Sequence, residues 1–577
     1  MSSRITFCNK NKLLYQSAQR TPQLFTIHCG LSASAGGICL QEIKKQNYLK
    51  GAAILAAATV FVKIIGAVYK IPIFNVMGDA GIGSFQVTYN IYTLVLTIAT
   101  AGVPVALSRM VSTAAATGHM SLVKRYFSMA LPAFTIIGLI AMSIMFFFAD
   151  SLSALMNNSL AAPGIRVLAP AVLFVCIISV YRGYTQGFQN MIPTAASQVV
   201  EVVCKAAFGI AAALWLSSRN YGTGIVSAGA ITGVTVGLGL CIPLLMRYKK
   251  KVDQSLPSVR DTHDLLSRSN VLWRLMKVSI PITLGASFMT IMAVIDTSVV
   301  LGRLQSGLGL IEYDASALFG LYTKGLTIYN FPSALVVPIS ISIMPAIAAA
   351  IAKSEGGEAG GIMQSSIKLV NLLALPAAAG IMVLAGPIMI ALYNDPQQIT
   401  ISVLTILGAA SFFVCFQLIT TAILQANGYE RLAMISFPVG GAIRIIINYF
   451  LVAIPEIGII GSAVGTVVCF LIISVMNVAF ITIKVKQRPK LINVFAKPLI
   501  CTALMSGAAY SAYALLYRFA SGVLGTSRTA ISIYLGVSIV FAAAVYGVLI
   551  IVTGTVTRED MKLVPRGEKL ANILRIK

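Results

Sequence analysis

Seven ionisable side chains interrupt long apolar runs in this sequence: Lys63, Lys70, Glu201, Lys205, Asp296, Lys324 and Arg444. A charge at the bilayer centre costs about 2.5–3.5 kcal/mol on insertion scales, so such residues face a cavity or a partner rather than lipid. Lys63 and Lys70 are seven apart, which on a helix puts them on one face, two turns from each other. Glu201 and Lys205 are four apart with the acid first, the favourable order for a helical ion pair, and mutual neutralisation is the plain reading. Asp296 is either held by a neighbouring lysine or is a site for a coupling ion. Lys63 and Arg444 fall near mid-membrane with no acid one turn away on their own helices. They are read as cavity-lining, and their removal strands no carboxylate; removal of Lys205 would strand Glu201. Lys70 and Lys324 lie nearer a span end, where snorkelling competes with a cavity role.

Five cations against two anions leave an excess of three positive charges inside the spans. A cavity for cationic drugs would favour acids. This sign favours an anion, and phosphate groups suit Lys and Arg donors. The rings of Tyr89, Tyr92, Tyr181, Tyr184, Tyr322 and Tyr329 are suited to flank a sugar, although packing or interface roles account for most of them. Directional transport needs work, and the membrane potential supplies about 2.3 kcal/mol per charge per 100 mV. A proton or Na⁺ would need an acid, and Glu201 and Asp296 are the ion-coupling candidates, Asp296 first because no base lies one turn away. No cofactor or metal is expected. The nine cysteines contain no CxxC pair, and His28, His119 and His263 lie far apart. Without a nucleophile–base constellation, an enzyme is not expected either.

The elements that must position these residues are membrane helices. Of 577 residues, 57% are hydrophobic and 11% charged, with mean hydropathy +0.87. Soluble domains carry roughly 25% charged residues, so a cytosolic enzyme, a disordered chain and a secreted scaffold are excluded. A span needs about 20 apolar residues. Fourteen runs qualify, at roughly 48–76, 81–106, 125–149, 164–187, 192–217, 222–247, 273–301, 315–349, 367–392, 399–425, 431–454, 457–483, 497–518 and 530–553. They lack the two-residue alternation of barrel strands and are too long for them. Breaks fall at Asn75 to Gly81, Asn157 to Gly164 and Asn394-Asp395-Pro396.

The net charge of +25 is mostly a topology signal. Twenty-nine basic residues fall on one side of this plan, in the flank, alternate loops and tail, against Arg219, Arg303, Arg518 and Arg528 on the other. The positive-inside rule then puts both termini in the cytoplasm. The Lys249–Lys251 run reads as a stop signal in contact with lipid headgroups, not as a nucleic-acid site. Residues 1–43 read as a disordered extension with a translation start near Ile43, and deleting 1–42 is expected to leave insertion and activity intact.

A weak internal repeat runs through the spans. At an offset of 237, Gly83 matches Gly320, Phe85 matches Tyr322, Ile91 matches Ile328 and Tyr92 matches Tyr329. At 239, Gln186 matches Gln425, Ser197 matches Ser436 and Lys205 matches Arg444. Six spans per repeat preserve direction, so the halves are parallel repeats about an axis normal to the membrane. The plan is an N-lobe at 44–247, a linker at 248–272, a C-lobe at 273–484, an appended span pair at 485–553 and a basic tail at 554–577. Substrate then sits between lobes and moves by alternating access. The major facilitator type shares this plan but carries a Gly-x-x-x-Asp-Arg-x-Gly-Arg loop, whereas here Ser108-Arg109 to Lys124-Arg125 holds no acid.

Three stretches carry a resemblance: Lys44-Lys45-Gln46-Asn47-Tyr48-Leu49-Lys50-Gly51, Gly102-Val103-Pro104-Val105-Ala106-Leu107-Ser108-Arg109, and Arg182-Gly183-Tyr184-Thr185-Gln186-Gly187. The chain resembles, over about 44–555, the stage V sporulation protein B-like branch of the polysaccharide transporters. That branch lies in the multidrug/oligosaccharidyl-lipid/polysaccharide flippase superfamily and includes lipid II flippases. The resemblance implies a V-shaped fourteen-helix protein of a bacterial plasma membrane. It implies outward flipping of an undecaprenyl-pyrophosphate-linked sugar, lipid II first, for peptidoglycan or polysaccharide synthesis, and contacts with wall-synthesis enzymes. Spans 13 and 14 would border a groove for the lipid tail. Lys63-Ile64-Ile65-Gly66 is similar to the family's Ser-Arg-x-Leu-Gly, with Lys63 for a functional Arg. Tyr329-Asn330-Phe331-Pro332 is similar to Tyr-Glu-x-Pro, with Asn330 for the acid. Thr327 falls where lipid II flippases carry Arg, and Lys324, one turn away, is placed to supply that cation. Expected substrate contacts are therefore Lys63, Lys70, Lys205, Lys324 and Arg444, with Thr327, Asn330, Gln186 and Gln425 as further cavity residues. The rivals are a drug/cation antiporter of the same superfamily and a non-transporting scaffold for wall enzymes.

Overall fold

Backbone N–H and C=O groups find no water in hydrocarbon, so runs this apolar must satisfy them internally as helices. The computed structural model bears this out for the residues it describes, 48–255, 267–352, 358–486 and 492–556, and the 1–43 extension lies outside them. Those residues form helices and short turns with no strand.

The first half comprises α1 (Tyr48–Val68), α2 (Lys70–Thr100), α3 (Val103–Ala116), α4 (Met120–Phe147), α5 (Ala149–Leu155), α6 (Ala162–Gly187), α7 (Ile192–Ser218) and α8 (Thr223–Ser255). The second comprises α9 (Arg268–Leu308), α10 (Glu312–Tyr329), α11 (Phe331–Ala352), α12 (Glu358–Val383), α13 (Ala385–Tyr393), α14 (Gln398–Ala426), α15 (Glu430–Leu451) and α16 (Ile460–Lys484). The final pair is α17 (Ile492–Leu524) and α18 (Arg528–Val552). Among the described residues, twelve stretches are long and apolar enough to cross a membrane. One of them, Ala57–Ala116, takes in both of the first two expected spans. They part at Gly78, whose φ of 68° interrupts α2 and suits a residue without Cβ. The expected eighth span is divided at Asn330 into α10 and α11. Asn157 and Asn394, at two of the expected breaks, take left-handed backbone with φ of 53°, as short polar residues tolerate.

The two halves pack in the same order. Helices α7 with α8, α6 with α8, α4 with α6, α3 with α6 and α1 with α7 are neighbours in the first half. Their counterparts α15 with α16, α14 with α16, α12 with α14, α11 with α14 and α9 with α15 are neighbours in the second. The α17/α18 pair leans on the second half through α12 and α13. Large apolar side chains such as Trp215, Phe147, Phe450 and Phe519 stand exposed on the outer surface, as lipid rather than water permits. Arg166, left out of the charge count, sits beside Asp150 near the Asn157 turn and pairs with it.

Candidate functional site

The halves meet where α2 crosses α10. A Cβ on Gly83 would lie 2.0 Å from the Ser316 carbonyl oxygen, and one on Gly320 would lie 1.9 Å from that of Asp79. Both Asp79/Ser316 and Gly83/Gly320 are 237 residues apart, so the contact maps onto itself when the halves exchange. That is the signature of a two-fold-related interface. Around this crossing, Asn158 Nδ2 donates to Ser316 Oγ at 2.9 Å, and Ser316 Oγ donates to the Ala80 carbonyl at 2.9 Å. Gln305 Nε2 donates to the Asn157 carbonyl at 2.7 Å, and Ser159 Oγ donates to Glu312 at 2.6 Å. The far end of the seam is plainer. Gly102 N–H donates to Thr283 Oγ1 at 3.1 Å beside an apolar cavity of about 220 Å³ between Val103, Phe134, Met276 and Leu284. One end is stitched by several side-chain hydrogen bonds, and the other combines the Gly102–Thr283 bond with apolar contact.

The structure pairs most of the embedded charges across helices. Lys324 Nζ lies 2.5 Å from Asp79 Oδ1 and 2.7 Å from Asp395 Oδ2. Arg444 lies 2.6 Å from Asp296 Oδ2 and donates to the Tyr322 hydroxyl at 3.1 Å, and Asn448 Nδ2 donates to Asp296 Oδ1 at 2.6 Å. The expected Glu201–Lys205 pair does not form. Glu201 instead accepts from Arg182 of the neighbouring α6 at 3.2 Å, and Arg182 also donates to Ser197 at 2.9 Å. A planar guanidinium reaches both acceptors at once, which a single ammonium does not. Lys205 turns away. Its Nζ donates to the Tyr89 hydroxyl at 3.1 Å and lies 5.0 Å and 4.7 Å from the ring centres of Tyr69 and Tyr89. Asp296 is likewise not a free acid, and Arg444 is not a cation that can be removed without stranding one.

The remaining candidates are spread out. Lys63 is exposed on α1, and Lys70, half-buried, stands 6.0 Å from the Phe74 ring centre. Thr327 is buried and donates to the Thr323 carbonyl, whereas Asn330 is exposed and donates to that of Leu326. Gln186 Nε2 donates to Thr194 at 3.1 Å, while Gln425 is exposed at the end of α14. A cavity of about 720 Å³ lies elsewhere, lined by Tyr429, Glu430, Arg431 and Lys484. Neither of these two cavities is lined by the five expected cations. Asp79, Asp395 and Arg182 were missed as site residues. The first two fall in helix breaks and read as loop, and Arg182 reads as a topology charge.

Adding these three leaves an excess of two positive charges among the embedded groups, and all of it lies in the first half. There Lys63, Lys70 and Lys205 have no carboxylate within ion-pair distance among the described residues. In the second half Lys324 and Arg444 balance Asp395 and Asp296.

Two like-packed helical halves meeting on a two-fold-related seam define a membrane transporter fold. Solved structures agree: the lipid II flippase MurJ in an inward closed conformation superposes with TM-score 0.60 at 14% identity, over 87% of this chain and 97% of that one. An inward-facing multidrug resistance MATE transporter gives 0.56 at 16%, over 73% and 97%. The family model for polysaccharide biosynthesis proteins matches residues 48–351, and the chain belongs to that family. It is 26% identical to stage V sporulation protein B of Bacillus subtilis, over 90% of this chain and 98% of the relative. It is also 26% identical to the lipid II flippase MurJ of that organism, over 73% and 81%. The relatives and the fold identify a multi-pass membrane protein of the flippase and transporter class.

Proposed function

We propose that this protein flips a pyrophosphate-linked lipid oligosaccharide, lipid II first, across a bacterial plasma membrane by alternating access, with both termini cytoplasmic. The observation that carries the proposal is the unneutralised charge of the first half. Lys63, Lys70 and Lys205 have no carboxylate within ion-pair distance among the described residues, which leaves their ammonium donors for a phosphate group. Tyr69 and Tyr89 hold Lys205 in place through their rings, with Nζ 5.0 Å and 4.7 Å from the ring centres. The embedded acids Asp79, Glu201, Asp296 and Asp395 already hold bases, and that works against a cationic substrate.

The ion-coupling role expected of Asp296 and Glu201 becomes one of orienting Arg444 and Arg182. In this reading the membrane potential supplies the work through the anionic headgroup carried outward, at about 2.3 kcal/mol per charge per 100 mV. Complementation of a strain depleted of its lipid II flippase, read alongside drug susceptibility, tests this. Rescue without altered drug tolerance supports the flippase. Altered tolerance without rescue supports an antiporter, and neither effect supports a scaffold for wall enzymes.

A further inference from the structure

We infer that Lys324 is the bolt of a releasable latch between the two halves, in which Asp79 is the partner given up on opening and Asp395 the one retained. Asp79 belongs to α2 of the first half, whereas Lys324 on α10 and Asp395 in the turn before α14 both belong to the second. The ion pair to Asp79 therefore crosses the seam, four residues from the Gly83 contact, and the pair to Asp395 does not.

The burial of the three side chains divides their roles. Asp395 is 3% exposed and Lys324 7%, whereas Asp79 is 31% exposed. Asp395 is also fixed in place. It accepts from the Gln397 N–H at 3.1 Å and from Thr400 Oγ1 at 3.3 Å. When this end opens, Asp79 is already in reach of water and rehydrates cheaply. Lys324 stays buried in its own half. An unpaired buried ammonium is expensive, and Asp395 removes that expense by remaining its counter-ion in the open state. Asp79 thus favours closure, and Asp395 lowers the cost of opening.

The two aspartates bind the same lysine at nearly the same distance, yet their removal should act in opposite directions. Asp79→Asn weakens the closed state alone. Asp395→Asn leaves Lys324 dependent on Asp79, so separation of the halves strands it. A merely structural triad would respond alike to the loss of either acid.

The test is a distance distribution between nitroxide labels at Leu155→Cys and Ile311→Cys, exposed positions of the first and second halves. It uses the full chain in lipid nanodiscs with native cysteines replaced. Asp79→Asn should enlarge the long-distance population several-fold, Asp79→Glu should leave it near that of the parent, and Asp395→Asn should reduce it below the parent. Shifts in the same direction for both asparagine variants, or no shift in either, overturn the latch. If Asp395→Asn is not recovered folded, the Asp79 series decides: equal behaviour of Asn and Glu overturns the inference. No substrate is present, so the latch can fail while the flippase reading stands. A latch confirmed in a chain that flips no lipid-linked sugar would refute that reading alone.

Discussion

Replacing Lys205 by methionine should leave the protein folded and remove most of its grip on an anionic headgroup. The lysine stem lies beside Tyr69 and Tyr89 with Nζ 5.0 Å and 4.7 Å from their ring centres, and methionine keeps an unbranched apolar stem there. Two cation–π contacts worth about 0.5–2 kcal/mol each are lost. The cost of holding an ammonium in the membrane, about 2.5–3.5 kcal/mol, is relieved at the same time. Together the contacts are worth about 1–4 kcal/mol, so against the relieved cost the net change runs from a gain of about 2.5 to a loss of about 1.5 kcal/mol, less than the loss on breaking a buried ion pair. A hydrogen bond to a charged group contributes about 1.5–3 kcal/mol. At about 1.4 kcal/mol per decade, headgroup capture then weakens by about 10- to 150-fold.

Arg444→Met should do the reverse. It strands Asp296, whose side chain is 9% exposed, and breaking a buried pair costs about 3–5 kcal/mol. Adding Asp296→Asn should recover part of that loss, in proportion to the coupling within the pair. Denaturation midpoints of the purified chains, with flippase complementation of the same variants, separate the two cases. If Lys205→Met is as destabilising as Arg444→Met, or supports growth fully, the first-half lysines are not the capture site.

Three further outcomes follow from the same geometry. Gly83→Ala and Gly320→Ala each put a methyl against a backbone carbonyl at the seam, and overpacking of this kind costs about 1–3 kcal/mol. Both should widen the label distance across that end, and unchanged distances would show that the seam yields freely. Lys63→Arg should complement and Lys63→Ala should fail at equal protein level, because a charge without a carboxylate partner is the property at stake; growth of both would make Lys63 an ordinary surface residue. A membrane-impermeant thiol reagent applied to intact cells should miss a cysteine at Lys250 and modify one at Arg219, and the opposite pattern would invert the assigned topology.

The repeat was legible because a Cβ at Gly83 or Gly320 would run into a backbone carbonyl of the other half, so both halves need glycine at the same place. Span boundaries were legible for a related reason, since a backbone leaving its helix needs Gly78, Asn157 or Asn394 at the turn. Ion pairing was not. Lys324 finds Asp79 across 245 residues, from inside a break that hydropathy reads as loop. Glu201 has an ideal intrahelical partner in Lys205 and takes Arg182 instead, because antiparallel packing of α6 on α7 sets a guanidinium over both Ser197 and Glu201. Spacing along one helix describes that helix, and these charges are settled between helices. The excess positive charge, by contrast, kept its sign once Asp79, Asp395 and Arg182 were added, although its location in the first half could not be read without the pairs.

Exposure of the lipid-linked precursor on the outer leaflet tests the central claim most directly. Spheroplasts depleted of their own flippase and expressing this chain would be treated with an external hydrolase that cleaves only accessible lipid II. The wild-type chain should restore cleavage to the level of the undepleted strain, and Lys205→Met should leave it near the depleted level. Cleavage that stays at the depleted level with abundant, correctly inserted wild-type protein would contradict the assignment of lipid II as substrate.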